Sequence, residues 1–472
     1  MRRALTVPLA LTLLACPSPR QEDPVPPKAT RAGSGLSILL ITIDTLRADH
    51  LGAYGYRRPT SKHLDALAAR GAVFEQAYTY WPKTRGSFAC LMTGRRPSQN
   101  GYGKSHPGVV DFNPTFASVL EKAGYRTAAS VDNPNVARAH GYAKGFSSYR
   151  ETWEEKALAT EWDRTRAITE DGVRFLASAQ GDAPFLLWLH YVNPHAPYAP
   201  PAPWDTMFAP KGAGPRLPLV ESFHGGIPKQ WAIAGKERLA DYVALYDGEI
   251  AAVDSEVGRV LDALDRSAVT DRTVVVVTSD HGESLGEHDY FFDHGENLFD
   301  PSLRIPLIVS VPGGPKGIRS AALASTLDLL PTLLDAAQVS YPPDLAGTSL
   351  LGAARGRPGP ERERLFAQNE RHQSAGFGPR HKVVASPEGA ANRFELYDRG
   401  SDPGETRPAS RTAPDALRTE RRELELFLER TDREWSKTRP LLGKAPSVAT
   451  RLSPEACEKL RALGYVVAEC PP

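Results

Sequence analysis

Cysteine is scarce in this chain: four in 472 residues, at positions 16, 90, 457 and 470, with no Cys-x-x-Cys pair among them. That argues against a zinc-thiolate cluster and against a dithiol redox motif. Charge of either sign is not in excess. Lys and Arg number 57 against 56 Asp and Glu, a formal net charge of +1, and no basic stripe stands out. Nucleic acid is therefore not an implied partner. The N-terminal apolar segment, Ala4 to Ala15, is only 12 residues long, too short to span a bilayer. Proline (41) and glycine (39) are plentiful and bring many loops, yet apolar runs recur between them. With 41% hydrophobic residues, the length suits one large domain and a smaller one.

The N-terminus reads as a targeting segment. Arg2 and Arg3 precede the Ala4–Ala15 run, in the manner of a signal peptide. The ending Leu13-Leu14-Ala15-Cys16 resembles a bacterial lipoprotein signal, in which Cys16 becomes the lipidated first residue. This is favoured over an ordinary secretory signal with Cys16 incidental. Residues 1–16 are assigned to the signal and 17–35, rich in Pro, Ser, Gly and charge, to a flexible tether. The expected location is outside the cytoplasm, with a lipid anchor in a bacterial membrane facing periplasm or cell surface. In an oxidising compartment Cys457 and Cys470 could pair. Cys90, in a small-residue apolar run, reads as a buried thiol.

What is present is more telling. Val274 to Val277 run through Thr278 and Ser279 into Asp280-His281-Gly282-Glu283. A near-continuous apolar run marks a strand buried on both faces, as in a parallel sheet. Open α/β sheets bind ligands beyond the carboxyl ends of such strands. Asp280 and His281 there offer one oxygen and one nitrogen to a divalent metal. His288, Asp289, Asp293, His294 and Glu296 follow closely. A second strand, from Leu36 to Ile43, ends in Asp44 and continues Thr45-Leu46-Arg47. One such Asp is often a helix cap. Two, with a histidine, favour a shared metal site.

Thr84 and Ser87 lie in a Gly-containing turn that opens an apolar, helix-like stretch ending at Gly94. Here two readings stay open: a helix cap, or a hydroxyl nucleophile, which would need a base or a metal to activate it. A further buried strand ends at His190, best read as a structural histidine. His195 sits between prolines that stiffen its loop, and is assigned as an anion-binding donor or general acid.

Together these residues resemble the sulfatase branch of the alkaline phosphatase superfamily. The matching stretches are LLITIDTLRADHLGAYGY (39–56), LMTGRRP (91–97), AGYRTA (123–128), HYVNPHAPY (190–198) and YDGEIAAVDSEVGRVL (246–261). VVVVTSDHGESLGEH (274–288), HGENLFDPSLRIPLIV (294–309), DLLPTLLDAAQV (328–339), FELYDRGSDPGE (394–405) and LRALGYV (460–466) complete them. The resemblance implies an α/β fold, an alkaline phosphatase-like sandwich whose large, mostly parallel sheet is flanked by helices. It assigns 36–351 to the catalytic domain and 352–472 to a smaller α+β C-terminal subdomain that adds a small sheet. It places Asp44, Asp280 and His281 at metal-ligand positions, with Thr84 as nucleophile and fourth ligand. His195 and His294 fall where the family contacts the anion and the leaving oxygen.

Family sulfatases carry Cys or Ser at the nucleophile, Pro two residues on and Arg four residues on, and oxidise that Cys or Ser to formylglycine. Thr84, Gly86 and Phe88 stand at those places, so no formylglycine is expected. A threonine there resembles the phosphatase and phosphoethanolamine-transferase members. Arg47, Arg85, Asn100 and Lys104 are the candidates for binding the substrate. The expected cofactor is one divalent ion, with Zn or Mn favoured by the mixed oxygen and nitrogen donors and Ca as the alternative. The expected activity is hydrolysis of sulfate or phosphate esters of small molecules, glycans or lipids through a covalent Thr84 intermediate. The rivals are a transferase acting on surface glycan or lipid, and an inactive binding protein. Two helices are also expected, an amphipathic one over Tyr242–Leu264 and a charged, solvated one over Glu420–Arg433.

Overall fold

Apolar runs of the kind just described become the middle of an eight-stranded sheet. In the computed structural model of the chain, residues 35–180, 183–210, 214–389, 391–443, 452–465 and 470 are described. The signal-peptide reading and nearly all of the tether lie outside them. The strands are β1 (Ser37–Ile43), β2 (Ala72–Tyr78), β3 (Arg126–Val131), β4 (Ser148–Glu151), β5 (Phe185–Tyr191), β6 (Thr273–Thr278), β7 (Leu307–Ser310) and β8 (Ile318–Ser325). Their order is β8-β2-β7-β6-β1-β5-β3-β4. Only β7 runs against its neighbours; every other pairing is parallel. Helices cover both faces, so the expected α/β class is the observed one.

The register explains why the central strands are so apolar. Thr42 of β1 lies level with His190 of β5 and Thr278 of β6. Ile38, Leu40, Trp188, Val274 and Val276 pack on one face against Phe88, Leu91 and Met92 of the helix Thr84–Thr93. Leu39, Ile41, Leu187, Leu189, Val275 and Val277 pack on the other, against Ile250, Val253 and Val257 of the helix Leu239–Arg266. Alternate residues thus feed two cores, and no position on β1 or β6 is left to water. The same register brings the carboxyl ends of β1, β5 and β6 out at one edge.

A second sheet, antiparallel and in chain order, holds β9 (Leu365–Gln368), β10 (Ser374–Phe377), β11 (His381–Glu388) and β12 (Ala391–Asp398). The helix Pro414–Leu442 lies against it. The solvated helix expected within it is solvated on one side only, because Leu424 and Phe427 are buried with Val383 and Leu396. The residues from 352 onward do not pack as one unit. The helix Pro454–Ala462 returns to the large domain, where Leu452, Ala456, Cys457 and Leu460 join the core of the main sheet. Cys457 and Cys470 are disulfide-bonded, and Cys90 is a buried free thiol.

The two sheets are fastened by a buried charge cluster. Lys382 of β11 is wholly buried, with Nζ 2.6 Å from Asp300 Oδ1 and 2.6 Å from Glu405 Oε1. Arg399 also reaches Asp300, at 2.8 Å. Burial alone would raise the Asp300 carboxyl, but Lys382 and Arg399 hold it down to about 2. Replacing Lys382 with Met leaves two buried carboxylates, Asp300 and Glu405, with Arg399 as their one remaining cation. Such a loss is worth about 3–5 kcal/mol, and urea unfolding should register it as a lowered midpoint.

Candidate metal and anion site

The site begins one residue beyond β1. Asp44 still belongs to the ladder, donating its N–H to the Tyr191 carbonyl at 2.9 Å, and its side chain is fully buried. Thr45 then takes a left-handed conformation, φ 53°, which turns the chain away. That turn is clamped from the helix Leu239–Arg266. The Tyr246 hydroxyl donates to the Thr45 carbonyl at 2.7 Å and accepts the Arg47 N–H at 3.0 Å. Ser279, beyond β6, accepts the Leu46 N–H and donates to the His281 carbonyl at 2.6 Å. The two turns that carry the acids therefore hold one another.

Asp280 and His281 follow Ser279, and both are fully buried. His281 Nδ1 faces the Gly282 carbonyl at 2.9 Å, so that nitrogen carries the proton and Nε2 is left as a lone pair. A side chain at Gly282 would meet the Pro301 carbonyl oxygen at 2.0 Å, so this close approach requires glycine. His281 Nε2 lies 3.2 Å from Asp280 Oδ2, 3.7 Å from Asp44 Oδ1 and 3.1 Å from Thr84 Oγ1. Asn133, two residues beyond β3, donates to Asp44 Oδ2 at 2.6 Å.

Asp44 Oδ1 and Asp280 Oδ2 are buried and accept no hydrogen bond. Burial, and then the neighbouring Asp280, hold the Asp44 carboxyl well above the usual range. Burial likewise pushes Asp280 up to about 6 and pulls the His281 imidazole down to about 3. One ligand atom from each of Asp44, Asp280 and His281 lies within 4.8 Å of the others. Two unsatisfied carboxylate oxygens and one imidazole lone pair aimed at a common point fit a divalent cation, which would offset the repulsion between the acids.

Thr84 is the first residue of the helix Thr84–Thr93, and no side chain caps that helix. Its hydroxyl meets His281 instead, and Ser87 Oγ donates to the Asp280 carbonyl at 2.7 Å. The cap reading fails for both hydroxyls. Gly86 sits beneath Trp81, where a Cβ would come 2.3 Å from the indole. Phe88 is core, packed on Trp188 and His190 with ring centroids at 5.2 and 4.8 Å. His190 bonds Thr42 through Nδ1, while its unpartnered Nε2 lies 3.9 Å from Asp44.

His195 and His294 converge over this group. His294 stacks on His281 with centroids 4.0 Å apart, and His195 meets His294 edge-on at 5.1 Å. His294 Nδ1 is 3.1 Å from Glu283 Oε1, and both Nε2 atoms face the hydroxyl of Tyr465. Burial pulls His195 down to about 4 and His294 well below its ordinary value. Lys83 is partly exposed, its Nζ 5.9 Å from the Tyr465 ring centre and 3.7 Å from Glu370 Oε2.

Three of the four residues expected to bind substrate are placed elsewhere. Arg47 is spent on Asp49, Glu287 and the Glu283 carbonyl, which makes it a brace beneath the site. The Asn100 amide is equally committed, donating to the carbonyls of Ala89 and Arg95 and accepting the Tyr102 N–H. Lys104 is exposed in a turn closed by Gly103 and His106, with no contact to the ligand group among the described residues. Arg85 is buried next to Thr84, and its carbonyl accepts from Tyr142. Asn133, Glu283 and Tyr465 join the site without having been foreseen. Their signals were a polar residue just past a strand end, an acid two residues after His281, and the tyrosine of the LRALGYV stretch.

Two family models match the chain. The sulfatase family model matches residues 37–339, and that of the C-terminal region of N-sulphoglucosamine sulphohydrolase matches 286–416. The chain belongs to the sulfatase family. An N-acetylglucosamine-6-O-sulfatase of Bacteroides thetaiotaomicron is 23% identical over 92% of each chain. The human N-sulphoglucosamine sulphohydrolase is 30% identical, over 65% of this chain and 64% of its own. The fold is also that of the phosphonate monoester hydrolase of Agrobacterium radiobacter, with TM-score 0.70 and 22% identity, covering 84% of this chain and 96% of that one. The family indicates a sulfuric ester hydrolase-like enzyme, and Asp44, Asp280 and His281 are its possible cation ligands.

Asn133 orients a ligand from outside the group. Its change to Ala should leave the fold intact and weaken divalent-metal affinity by about 10–100-fold, read by calorimetric titration of the metal-stripped protein.

Proposed function

We propose that this sulfatase-family protein is a metal-dependent hydrolase of sulfate or phosphate esters that uses Thr84 as a covalent nucleophile. The observation that carries the reading is the position of Thr84 Oγ1, 3.1 Å from His281 Nε2 and beside the Asp44–Asp280 pair. Thr84, Gly86 and Phe88 replace the pattern from which formylglycine is made, so the hydroxyl itself is the reacting group. Asp44, Asp280 and His281 would hold one divalent ion, with Zn or Mn preferred over Ca for a donor set that includes nitrogen. Such an ion supplies positive charge that lowers the pKa of a neighbouring hydroxyl and neutralises an oxyanion.

In the reaction Thr84 Oγ1 gives up its proton to solvent and forms a bond to phosphorus or sulfur as the bond to the ester oxygen breaks. The departing oxygen takes up a proton to leave as the alcohol. The site is lined for this on both sides. His281 and Asp280 lie on the nucleophile's side. His195 and His294 line the side where the oxyanion and the leaving oxygen would sit, where a bound anion would favour the imidazolium form. Glu283 fixes the His294 ring. Water then attacks the Thr84 ester and returns the free hydroxyl. The relatives' names favour sulfated amino sugars or related glycans as substrates.

Thr84→Ala should abolish turnover of aryl sulfates and aryl phosphates while the protein keeps its metal. Unchanged turnover would remove Thr84 from the mechanism. A parallel screen of sulfate monoesters, phosphate monoesters, phosphodiesters and phosphonates decides the ester class, and activity on sulfates alone would count against a phosphate-biased threonine. We also propose export and lipidation at Cys16, which the Leu13-Leu14-Ala15-Cys16 ending supports. The Cys457–Cys470 bridge fits an oxidising compartment. Cys16→Ala should move the protein from the membrane to the soluble fraction and end its labelling by radioactive palmitate.

A further inference from the structure

The space that His195, His294 and Thr84 surround is entered by one more side chain, from the far end of the described chain. The Tyr465 hydroxyl lies 3.0 Å from His294 Nε2 and 3.2 Å from His195 Nε2, and it is hydrogen-bonded to Thr84. The proton positions on the rings make this hydroxyl matter. His195 Nδ1 faces the Ala196 carbonyl at 2.6 Å, so the proton of a neutral ring is there. His294 Nδ1 is 3.1 Å from Glu283 Oε1. The neutral His195 ring therefore offers a lone pair to the pocket. Between it and His294 Nε2 stands the Tyr465 O–H.

We propose that Tyr465 is an anion-contacting residue, whose hydroxyl swings from the two imidazoles to donate a hydrogen bond to the substrate's oxyanion. The assignment rests on the ester-hydrolase reading for its kinetic consequence, but not for anion binding itself.

The tail that carries Tyr465 is held in a way a loose end would not be. Lys459 Nζ lies 2.5 Å from Glu161 Oε2 and 3.5 Å from Asp132 Oδ2. Glu161 also accepts from Asn193, two residues before His195, at 2.7 Å. Asp132 directly precedes Asn133, the residue that holds Asp44. One lysine thus fastens the tail to the two loops that shape the pocket. Gly464, at φ 81°, then turns the chain under Trp231, where a Cβ would approach the indole to 2.7 Å. The Tyr465 N–H closes the turn on the Leu460 carbonyl at 2.8 Å, and Cys457 is bridged to Cys470.

The test uses the full chain with its metal bound and the variant Tyr465→Phe, which keeps the ring. Inorganic phosphate, sulfate and orthovanadate are titrated by calorimetry, and kcat/KM is measured on any ester the wild type cleaves. Binding of the tightest oxyanion should weaken by about 10-fold or more, as for a lost bond to a charged group. The kcat/KM should fall by about 100–1,000-fold, as for a lost oxyanion donor, at unchanged metal content. If Tyr465→Phe melts early, 3-fluorotyrosine at position 465 keeps the shape and sharpens the donor, and oxyanion binding should tighten. Equal binding in Tyr465→Phe overturns the assignment. So does faster turnover, which would make the tyrosine a stopper, and so does a wild type that binds none of the three anions. A wild type that cleaves no ester, yet loses anion binding on Tyr465→Phe, overturns the hydrolase reading and leaves Tyr465 in place.

Discussion

Asp44 and Asp280 sit side by side at the ends of two neighbouring parallel strands, out of reach of water, and the rest of the site answers to that arrangement. Two carboxylates so placed repel one another and lack the hydration that would stabilise their charge. The surroundings relieve this only in part. Asn133 donates to one oxygen of Asp44, while one oxygen on each acid accepts nothing. A fold selected for stability alone would not keep such a pair. The pair makes sense as two of the three possible ligands of a cation, with the His281 lone pair as the third.

Parallel register turns this local demand into a pocket. Because β1, β5 and β6 end level, the turns that leave them carry Asp44, His195 and Asp280 to one edge. The turn beyond β3 brings Asn133 to Asp44 there as well. The neighbouring elements then set orientation. Tyr246 clamps the turn after Asp44, and Ser279 ties that turn to its counterpart beyond β6. Arg47 is braced between Asp49 and Glu287, which pins the two segments that flank the acids. The side chains of the site thus ride on rigid supports rather than on free loops.

Much of this was legible in the residues. Uninterrupted valine and leucine runs announced strands buried on both faces, and an Asp at the end of each announced the shared site. The resemblance aligned Thr84, His195 and His294 with it, and the fold brings all three together. Arg47, Asn100 and Lys104 are directed away from the ligand group for a common reason. Each lies close in sequence to the site, but side-chain direction depends on partners far along the chain, such as Glu287 for Arg47. Asn133, Glu283 and Tyr465 escaped notice because nothing local distinguishes a polar residue that meets the site from one that meets solvent. Their roles exist only once β3, the segment after β6 and the C-terminal tail are packed against one another.

The placement of Tyr465 also bears on how the molecule comes to be assembled. Its hydroxyl meets His195 across 270 positions of chain, whereas the last strand of the main sheet is complete at Ser325. Contacts of such long range form late. During synthesis the sheet and its acids can close well before the tail is available to cover them. The nascent protein would then pass through a stage in which the acids are in place but the pocket stands open, and its properties would mature only when the final turn docks.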